Sequence, residues 1–325
     1  MEYGENGMYK ITRHVAPISK ELATSIDKLL CGYGEHYPLT FGKDYITRCS
    51  GNVENVGVLI YVAEHDGEIV SHASVLYSKD NPTVSTLHNI FTAVNHRKKG
   101  LSTKLVSLVL QTFDTEILGE KNEVGYMVLG TGSPSAAKIY SSHGFEHLAG
   151  GLDTGNIKGY NPDDAGEWIM IRNGGTKKAK FDAKVFYAIE KHNLEQLQII
   201  PCELKHYTQL VLLFNAFEKE VKNILSLNII TGIQAEGGLV GMYTSPAKYD
   251  LTTNKCKCIF LCVNTADNDK VIGLASFNDN TIRDNNDDDV YNKKEAEQVG
   301  GNWEIYSISK KSEKKLRDYC MSMKA

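Results

Sequence analysis

"TAVNHRKKGLSTKL", residues 92–105, decides how this sequence reads. Arg97, Lys98 and Lys99 crowd against Gly100, and Leu101, Leu105, Leu108 and Phe113 then recur at helical spacing. The run before it, "TVSTLHNIFTAV" (83–94), is rich in β-branched residues and predicts a strand. The stretch is therefore a turn from a strand into a helix. The first amides of a helix lack internal partners, and the helix dipole adds partial positive charge there. An anion fits such an end. Gly100 lets the backbone approach a ligand closely, the three basic residues add field, and Ser102 is small with a hydroxyl. By its own chemistry the stretch suits either a pyrophosphate or a solvated basic turn.

The elements around it are punctuated clearly. "MYKITRHV" (8–15) alternates as a strand, and "SKELATSIDKLL" (19–30) predicts a helix with Ser19 at its N-cap. "VGVLIYVAEH" and "EIVSHASVLY" form a hairpin about Asp66-Gly67, which is turn chemistry. "EVGYMVLG" is a strand. "SPSAAKIYSSHG" is a short helix, with Ser133 at the N-cap, Pro134 in the first turn and Gly144 just past the end. "FEHLAGG" and "EWIMIRN" close as strands. The expected order is βαβββαβαββ, a mixed α/β domain ending near Asn173. The polar, Gly-rich "NGGTKKAK" (173–180) then marks a boundary. The expected domains are residues 1–175 and 176–325.

Composition narrows the function classes. The chain has 325 residues, comfortable for two domains of roughly 150 residues each. It carries 36 basic and 40 acidic residues, a net charge of -4. That balance argues against a dedicated nucleic-acid or membrane-surface binder. No stretch approaches the roughly 20 apolar residues of a membrane span. "MEYGENGMYK" lacks the basic leader and apolar core of a signal peptide, so a cytoplasmic protein with reduced thiols is expected. Cys256, Cys258 and Cys262 cluster on a strand-like run, without a second cluster to complete a zinc site.

The second half echoes the first. "KVIGLAS" (270–276) ends a hairpin like the one ended by "EIVSHAS" (68–74), and "NWEIYSIS" (302–309) stands where "HNIFTAV" stood. "PCELKHYTQLVLLFNAFEKEV" (201–221) reads as the helix before that hairpin. The following "KKSEKKLRDYC" has no R-x-x-G. The second half is therefore read as the opening half of the same fold, ending before the glycine turn. It is expected to cover an acceptor groove, to serve as a homodimer surface, or both. "RDNNDDDVYNKKE" (283–295) reads as a solvated acidic loop.

"TAVNHRKKGLSTKL" resembles the acyl-CoA-binding motif of the GCN5-related N-acetyltransferase (GNAT) superfamily: Arg or Gln, two residues, Gly, one residue, then Gly or Ala. Arg97, Gly100 and Ser102 take those places, with Ser102 a mild departure, and Val94 stands where many members have Pro. "SPSAAKIYSSHGFEHL" resembles the second motif of the superfamily through Ala136, Tyr140, Gly144 and Phe145, with Ser133 replacing a common Asn. The resemblance covers residues 8–173. It implies a mixed, mostly antiparallel twisted sheet flanked by helices, with acetyl-CoA as co-substrate. It implies that the strand before the glycine turn bulges and diverges from its neighbour, and it places the pantetheine arm along Ile90, Phe91 and Thr92 in that V-shaped gap, with Ser133 nearby. It places the diphosphate on Arg97, Lys98, Lys99, Gly100, Leu101, Ser102 and Thr103.

Acetyl transfer to an amine needs two proton movements, one off the ammonium and one onto the departing thiolate. Tyr140 matches the tyrosine that commonly serves as the proton donor. His88 matches a histidine of the arylalkylamine acetyltransferases, nine residues before Arg97. Those enzymes carry a second histidine where Thr86 stands here. Glu64 and Glu35 are acidic alternatives for the base, and His143 is the alternative donor. The reading is an acetyl-CoA-dependent N-acetyltransferase acting on the primary amine of a small molecule. The alternatives are a non-catalytic CoA-binding or interaction protein, or an acetyltransferase of protein lysines or N-termini.

Overall fold

The computed structural model describes residues 2–6, 9–31, 55–119, 125–131, 133–150, 168–174, 180–188, 191–217, 249–250, 255–277 and 303–323. Glu35 and the acidic loop at 283–295 lie outside the described residues. The chain divides into two compact units, Met1–Phe181 and Asp182–Ala325.

In the N-terminal unit, β1 (Glu2–Asn6), β2 (Tyr9–Val15), β3 (Val56–His65), β4 (Glu68–Ser78), β5 (Val84–Thr92), β6 (Gly125–Thr131), β7 (Glu146–Gly150) and β8 (Trp168–Gly174) form one sheet. Their order is β1-β2-β3-β4-β5-β6-β8-β7. All pairs are antiparallel except β5 with β6. The helices are α1 (Lys20–Leu30), α2 (Leu101–Thr112) and α3 (Pro134–Ser142). Strand β1 was not expected from the sequence, because "EYGEN" has no alternating apolar pattern.

The punctuation acts as the residue types dictate. Ser19 Oγ accepts from Leu22 N at 3.2 Å and Ser133 Oγ from Ala136 N at 3.4 Å, each satisfying a helix-start amide. Asp66 and Gly67 both take positive φ, 51° and 79°, which turns the β3–β4 hairpin with the twist of its strands. The central strands are buried on both faces, so they read as near-continuous apolar runs: Leu59 to Ala63 are all at 0% exposure. The aliphatic stripe of α2, including Leu105, Val106 and Val109, packs with Tyr61, Ala73, Leu87 and Met127 of the sheet and with Ala137 and Tyr140 of α3 in one cluster. The expected strand at 83–94 stops at Thr92, and Val94–His96 forms a short 3₁₀ turn leading into the basic stretch.

The C-terminal unit has α4 (Ala183–Phe186), β9 (Leu197–Glu203), α5 (Tyr207–Ala216), β10 (Tyr249–Asp250), β11 (Lys255–Asn264), β12 (Lys270–Phe277), β13 (Trp303–Ser307) and α6 (Lys310–Ser322). The expected helix over 201–221 begins later. Residues 201–203 belong to β9, where Pro201, lacking an amide proton, sits opposite Phe260 on β11. The order β9-β11-β12-β13 is antiparallel throughout, with α5 after β9 and α6 after β13. The N-terminal unit runs β2, α1, β3, β4, β5, α2, with strands paired in the same sequence. Among the described residues no helix is long and apolar enough to cross a membrane.

Candidate functional site

Strands β5 and β6 are in parallel register at Val84–Tyr126, Ser85–Met127 and Thr86–Val128. Among the described residues they pair no further, although β5 continues to Thr92 and β6 to Thr131. The two strands thus open a wedge whose apex lies at Thr86 and Val128. On the other side of β5 the ladder with β4 slips: Ser74 faces His88, but His72 already faces Phe91. Asn89 and Ile90 therefore share one place opposite Ala73, a β-bulge, and Asn89 adopts φ 56°. His72 Nδ1 lies 2.6 Å from Asn89 O, and Ser74 Oγ donates to His88 O at 3.2 Å. Burial pushes the pKa of His72 down to about 4, against the opposing pull of the Asn89 carbonyl.

The wide end of the wedge meets the basic turn. Lys98 has φ 61° and Gly100, the N-cap of α2, has φ 77°. A Cβ at Gly100 would meet no protein atom within 4 Å, so the left-handed backbone is what calls for glycine. Lys104 N bonds to Gly100 O at 2.9 Å, closing the first helical turn. Leu101 packs inward at 7% exposure, while Thr103 is exposed and Ser102 half-buried at the helix start.

Two of the three basic side chains, Arg97 and Lys99, are tethered to the sheet. Arg97 Nε donates to Thr92 O at 3.0 Å, with its guanidinium 5.6 Å from the centre of the Phe91 ring. Lys99 Nζ donates to Tyr9 Oη at 2.8 Å and lies over that ring. Tyr9 Oη also bonds to His96 Nδ1 at 3.1 Å, and the rings of Tyr9, His65 and His96 lie within 5.8 Å of one another. Desolvation, then Lys99 and His65, lower the pKa of His96. Thr92 is buried, with its hydroxyl 2.8 Å from Ser102 Oγ and 2.7 Å from Ser71 Oγ, which also donates to Phe91 O.

His88 is half-buried near the apex of the wedge, its Nε2 2.7 Å from Thr86 Oγ1. Tyr140 lies in the last turn of α3 at 5% exposure, edge-on to Phe145 with ring centres 5.9 Å apart. Ser133 is exposed at the start of α3, its hydroxyl also 2.9 Å from Ser135 Oγ. Glu64 pairs with Ile69 at the hairpin end of β3, three residues along from Tyr61, which faces Ala73. That is roughly 10 Å along the strand from the level of the bulge. His143 Nδ1 sits 2.8 Å from Ile139 O. It borders a separate cavity of about 530 Å³, lined also by Glu146, Arg172 and Lys180.

Reasoning from sequence missed Tyr9, Ser71, His72 and Ser74. Three of these lie in "SHAS" (71–74), where polar residues interrupt an otherwise apolar strand. In a strand buried on both faces, that interruption was the available signal.

Residues 57–147 match the family model described as an acetyltransferase (GNAT) domain. No curated protein matches the chain. Among solved structures it is similar to a GNAT-family acetyltransferase from Staphylococcus aureus Mu50, at 16% identity and TM-score 0.37, covering 51% of this chain and 100% of that one. It is also similar to the ribosomal-protein-S18-alanine N-acetyltransferase of Escherichia coli, at 15% identity and TM-score 0.38, covering 53% and 99%. A third is a diaminobutyrate acetyltransferase from Paenibacillus lautus, solved with L-2,4-diaminobutyric acid and coenzyme A. The identity is 14% and the TM-score 0.37, covering 52% and 99%.

Proposed function

As residues 57–147 carry a GNAT acetyltransferase domain, we propose that the N-terminal unit transfers an acetyl group from acetyl-CoA to a primary amine of a small molecule. One observation supports this reading above the others. The wedge that opens beyond Thr86 and Val128 lies along the bulged end of β5, and that strand runs directly into a left-handed glycine at a helix start. An extended thioester arm can lie along strand backbone in such an opening, and its diphosphate can meet the amides of Leu101, Ser102 and Thr103. Arg97, Lys98 and Lys99 supply positive field around the turn. Ile90, Phe91 and Thr92 form the wall on the β5 side, and Ser133 opens the helix that follows β6 on the other.

His88, at the apex, takes the proton from the incoming ammonium. The free amine then attacks the thioester carbonyl and a C–N bond forms; the nitrogen sheds its second proton to solvent as the C–S bond breaks. Tyr140 gives its proton to the departing thiolate, and solvent restores both groups. The hydrogen bond between Thr86 Oγ1 and His88 Nε2 fixes the ring plane of the base.

The C-terminal unit is read as a partial copy of the same fold that binds no donor. In it β12 and β13 run in unbroken register, without the slip seen between β4 and β5. Its helix α6 starts at Ser309, whose hydroxyl accepts from Ser312 N, where α2 starts at a left-handed glycine.

Titration calorimetry with acetyl-CoA, paired with release of CoA thiol across a panel of amines, tests the reading. Binding with turnover on a small amine is expected. Binding without turnover on any amine would make the chain a CoA-binding protein, and turnover only on peptides would move the acceptor to a protein.

A further inference from the structure

The bulge that shapes β5 is held by side chains of β4. Where an antiparallel ladder is regular, each inward carbonyl meets an amide of the neighbouring strand. Here side chains of β4 reach the carbonyls at the slip. Ser74 Oγ donates to His88 O at 3.2 Å, and His72 Nδ1 lies 2.6 Å from Asn89 O. His72 and Ser74 are two apart on one strand and so share a face, while Ala73, between them, stands opposite both Asn89 and Ile90. Both polar side chains are buried, His72 at 0% and Ser74 at 2% exposure.

This contact fixes the orientation of one peptide plane. A carbonyl oxygen accepts, so the short contact to Asn89 O requires the proton on Nδ1 of His72. In a trans peptide the C=O and the following N–H point in opposite directions, and the only cis bond among the described residues is Ala16–Pro17. With Asn89 O drawn towards β4, the Asn89–Ile90 peptide turns its N–H side away from β4, towards the wedge. Asn89 keeps φ 56°, in a left-handed region that asparagine tolerates better than most residues, and the contact to His72 favours that conformation. Burial keeps the imidazole uncharged, consistent with a ring serving as a fixed donor and not as a proton carrier.

We propose that His72 is a positioning residue for acetyl transfer: through Nδ1–H it holds the Asn89 carbonyl and so sets the bulged peptide that lines the donor opening. Its functional half rests on the acetyl-CoA reading above; its structural half does not.

The structural half is tested on the wild-type chain by long-range ¹H–¹⁵N NMR of the imidazoles at pH 7. A His72 ring protonated on Nδ1 and bare on Nε2 is expected, and the opposite tautomer would overturn the proposal whatever the protein binds. The functional half compares His72→Leu, which fills the space without a donor, with His72→Asn, whose amide nitrogen can stand near the place of Nδ1. His72→Leu should weaken acetyl-CoA binding and turnover about tenfold each, the scale of an orphaned buried acceptor. His72→Asn should recover most of that loss, which general destabilisation would not allow. A folded Leu variant with wild-type donor affinity and turnover, or an Asn variant no better than Leu, would overturn it. If the wild type binds no acetyl-CoA, the proposed function falls, and the tautomer still decides the clamp.

Discussion

The hydroxyls of Ser102 and Thr92 lie 2.8 Å apart, joining the first turn of α2 to the end of β5 across the basic loop. Thr92 passes the link on to Ser71 of β4, so three hydroxyls tie helix, strand and neighbouring strand together. Ser102 occupies the motif position usually held by Gly or Ala, and its hydroxyl is turned to the sheet. Ser102→Ala should therefore cost about 1 kcal/mol of stability, the worth of one neutral hydrogen bond. It should leave acetyl-CoA affinity within about threefold, since a uniform loss that small is under 1 kcal/mol. Urea unfolding beside calorimetric titration checks both. A loss of affinity well beyond the loss of stability would mean that the Ser102 hydroxyl reaches the ligand itself.

Gly100 sits at φ 77° with open space where a side chain would begin. A Cβ at position 100 would meet no protein atom within 4 Å, but in Gly100→Val a left-handed backbone costs an L-residue about 1–2 kcal/mol, and β-branching adds to that. The turn should relax out of this conformation and misplace the helix-start amides. Acetyl-CoA binding should fall at least tenfold while the circular dichroism spectrum is retained. Wild-type affinity in this variant would move the diphosphate off the turn.

Much of this arrangement is legible in the residues alone. Ser19, Asp66-Gly67, Ser133-Pro134 and Gly144 announce their turns and caps because the physics there is local, within about four residues. The glycine turn is legible for the same reason. The bulge is legible only through the family resemblance: by its own residues "LHNIFT" reads as a regular strand, and the contact at its slip comes from a histidine 17 residues earlier on the neighbouring strand. The tether of Lys99 to Tyr9, which spans 90 residues, is not legible. Contacts of that kind depend on strand register, and a single sequence carries little of it.

The compact N-terminal unit closes at Phe181, whose ring packs edge-on to Tyr126 with centres 4.9 Å apart. A fragment of residues 1–181 should fold and bind acetyl-CoA as the full chain does, because every donor-site residue lies within it. A fragment of residues 1–175 loses the Tyr126–Phe181 contact and should melt lower. A folded 1–181 fragment without affinity would show that the C-terminal unit completes the donor site.

Acid should unfold the N-terminal unit early. The folded pKa of His72 is about 4, below the 6.5 of an exposed imidazole, because burial disfavours its charge. The unfolded chain therefore binds the extra proton first. Stability contributed by keeping His72 neutral is full above pH 6.5 and is lost as pH falls from 6.5 towards 4, by at most about 1.4 kcal/mol per pH unit. His14 and His96, both lowered chiefly by desolvation, act in the same direction. Urea midpoints of the 1–181 fragment at pH 7 and pH 5 measure the slope. A midpoint that does not fall by pH 5 would contradict a neutral, buried His72.

Tyr140 presents the sharpest test, because its burial admits two readings. At 5% exposure, edge-on to Phe145, it fills the core between α3 and the sheet. It also stands where the sequence resembles the second acetyltransferase motif, and the resemblance makes its hydroxyl the proposed proton donor to the departing thiolate. Tyr140→Phe removes one oxygen and almost no volume, so packing should survive. If the hydroxyl is the proton donor, turnover should drop by about 10²-fold or more. Acetyl-CoA affinity should change little, since one neutral hydrogen bond is worth about 1 kcal/mol. The high-pH limb of the rate profile should flatten or move as well, because the group whose deprotonation ends activity would be gone. Packing alone predicts the reverse pattern: a small shift in melting temperature, an unchanged pH profile and turnover within about twofold, far below the general-acid scale. A pH–rate profile of both proteins on the amine found by the panel separates the two, and the packing pattern would move the search for the proton donor to ordered water and to His143, at the C-terminal end of the same helix.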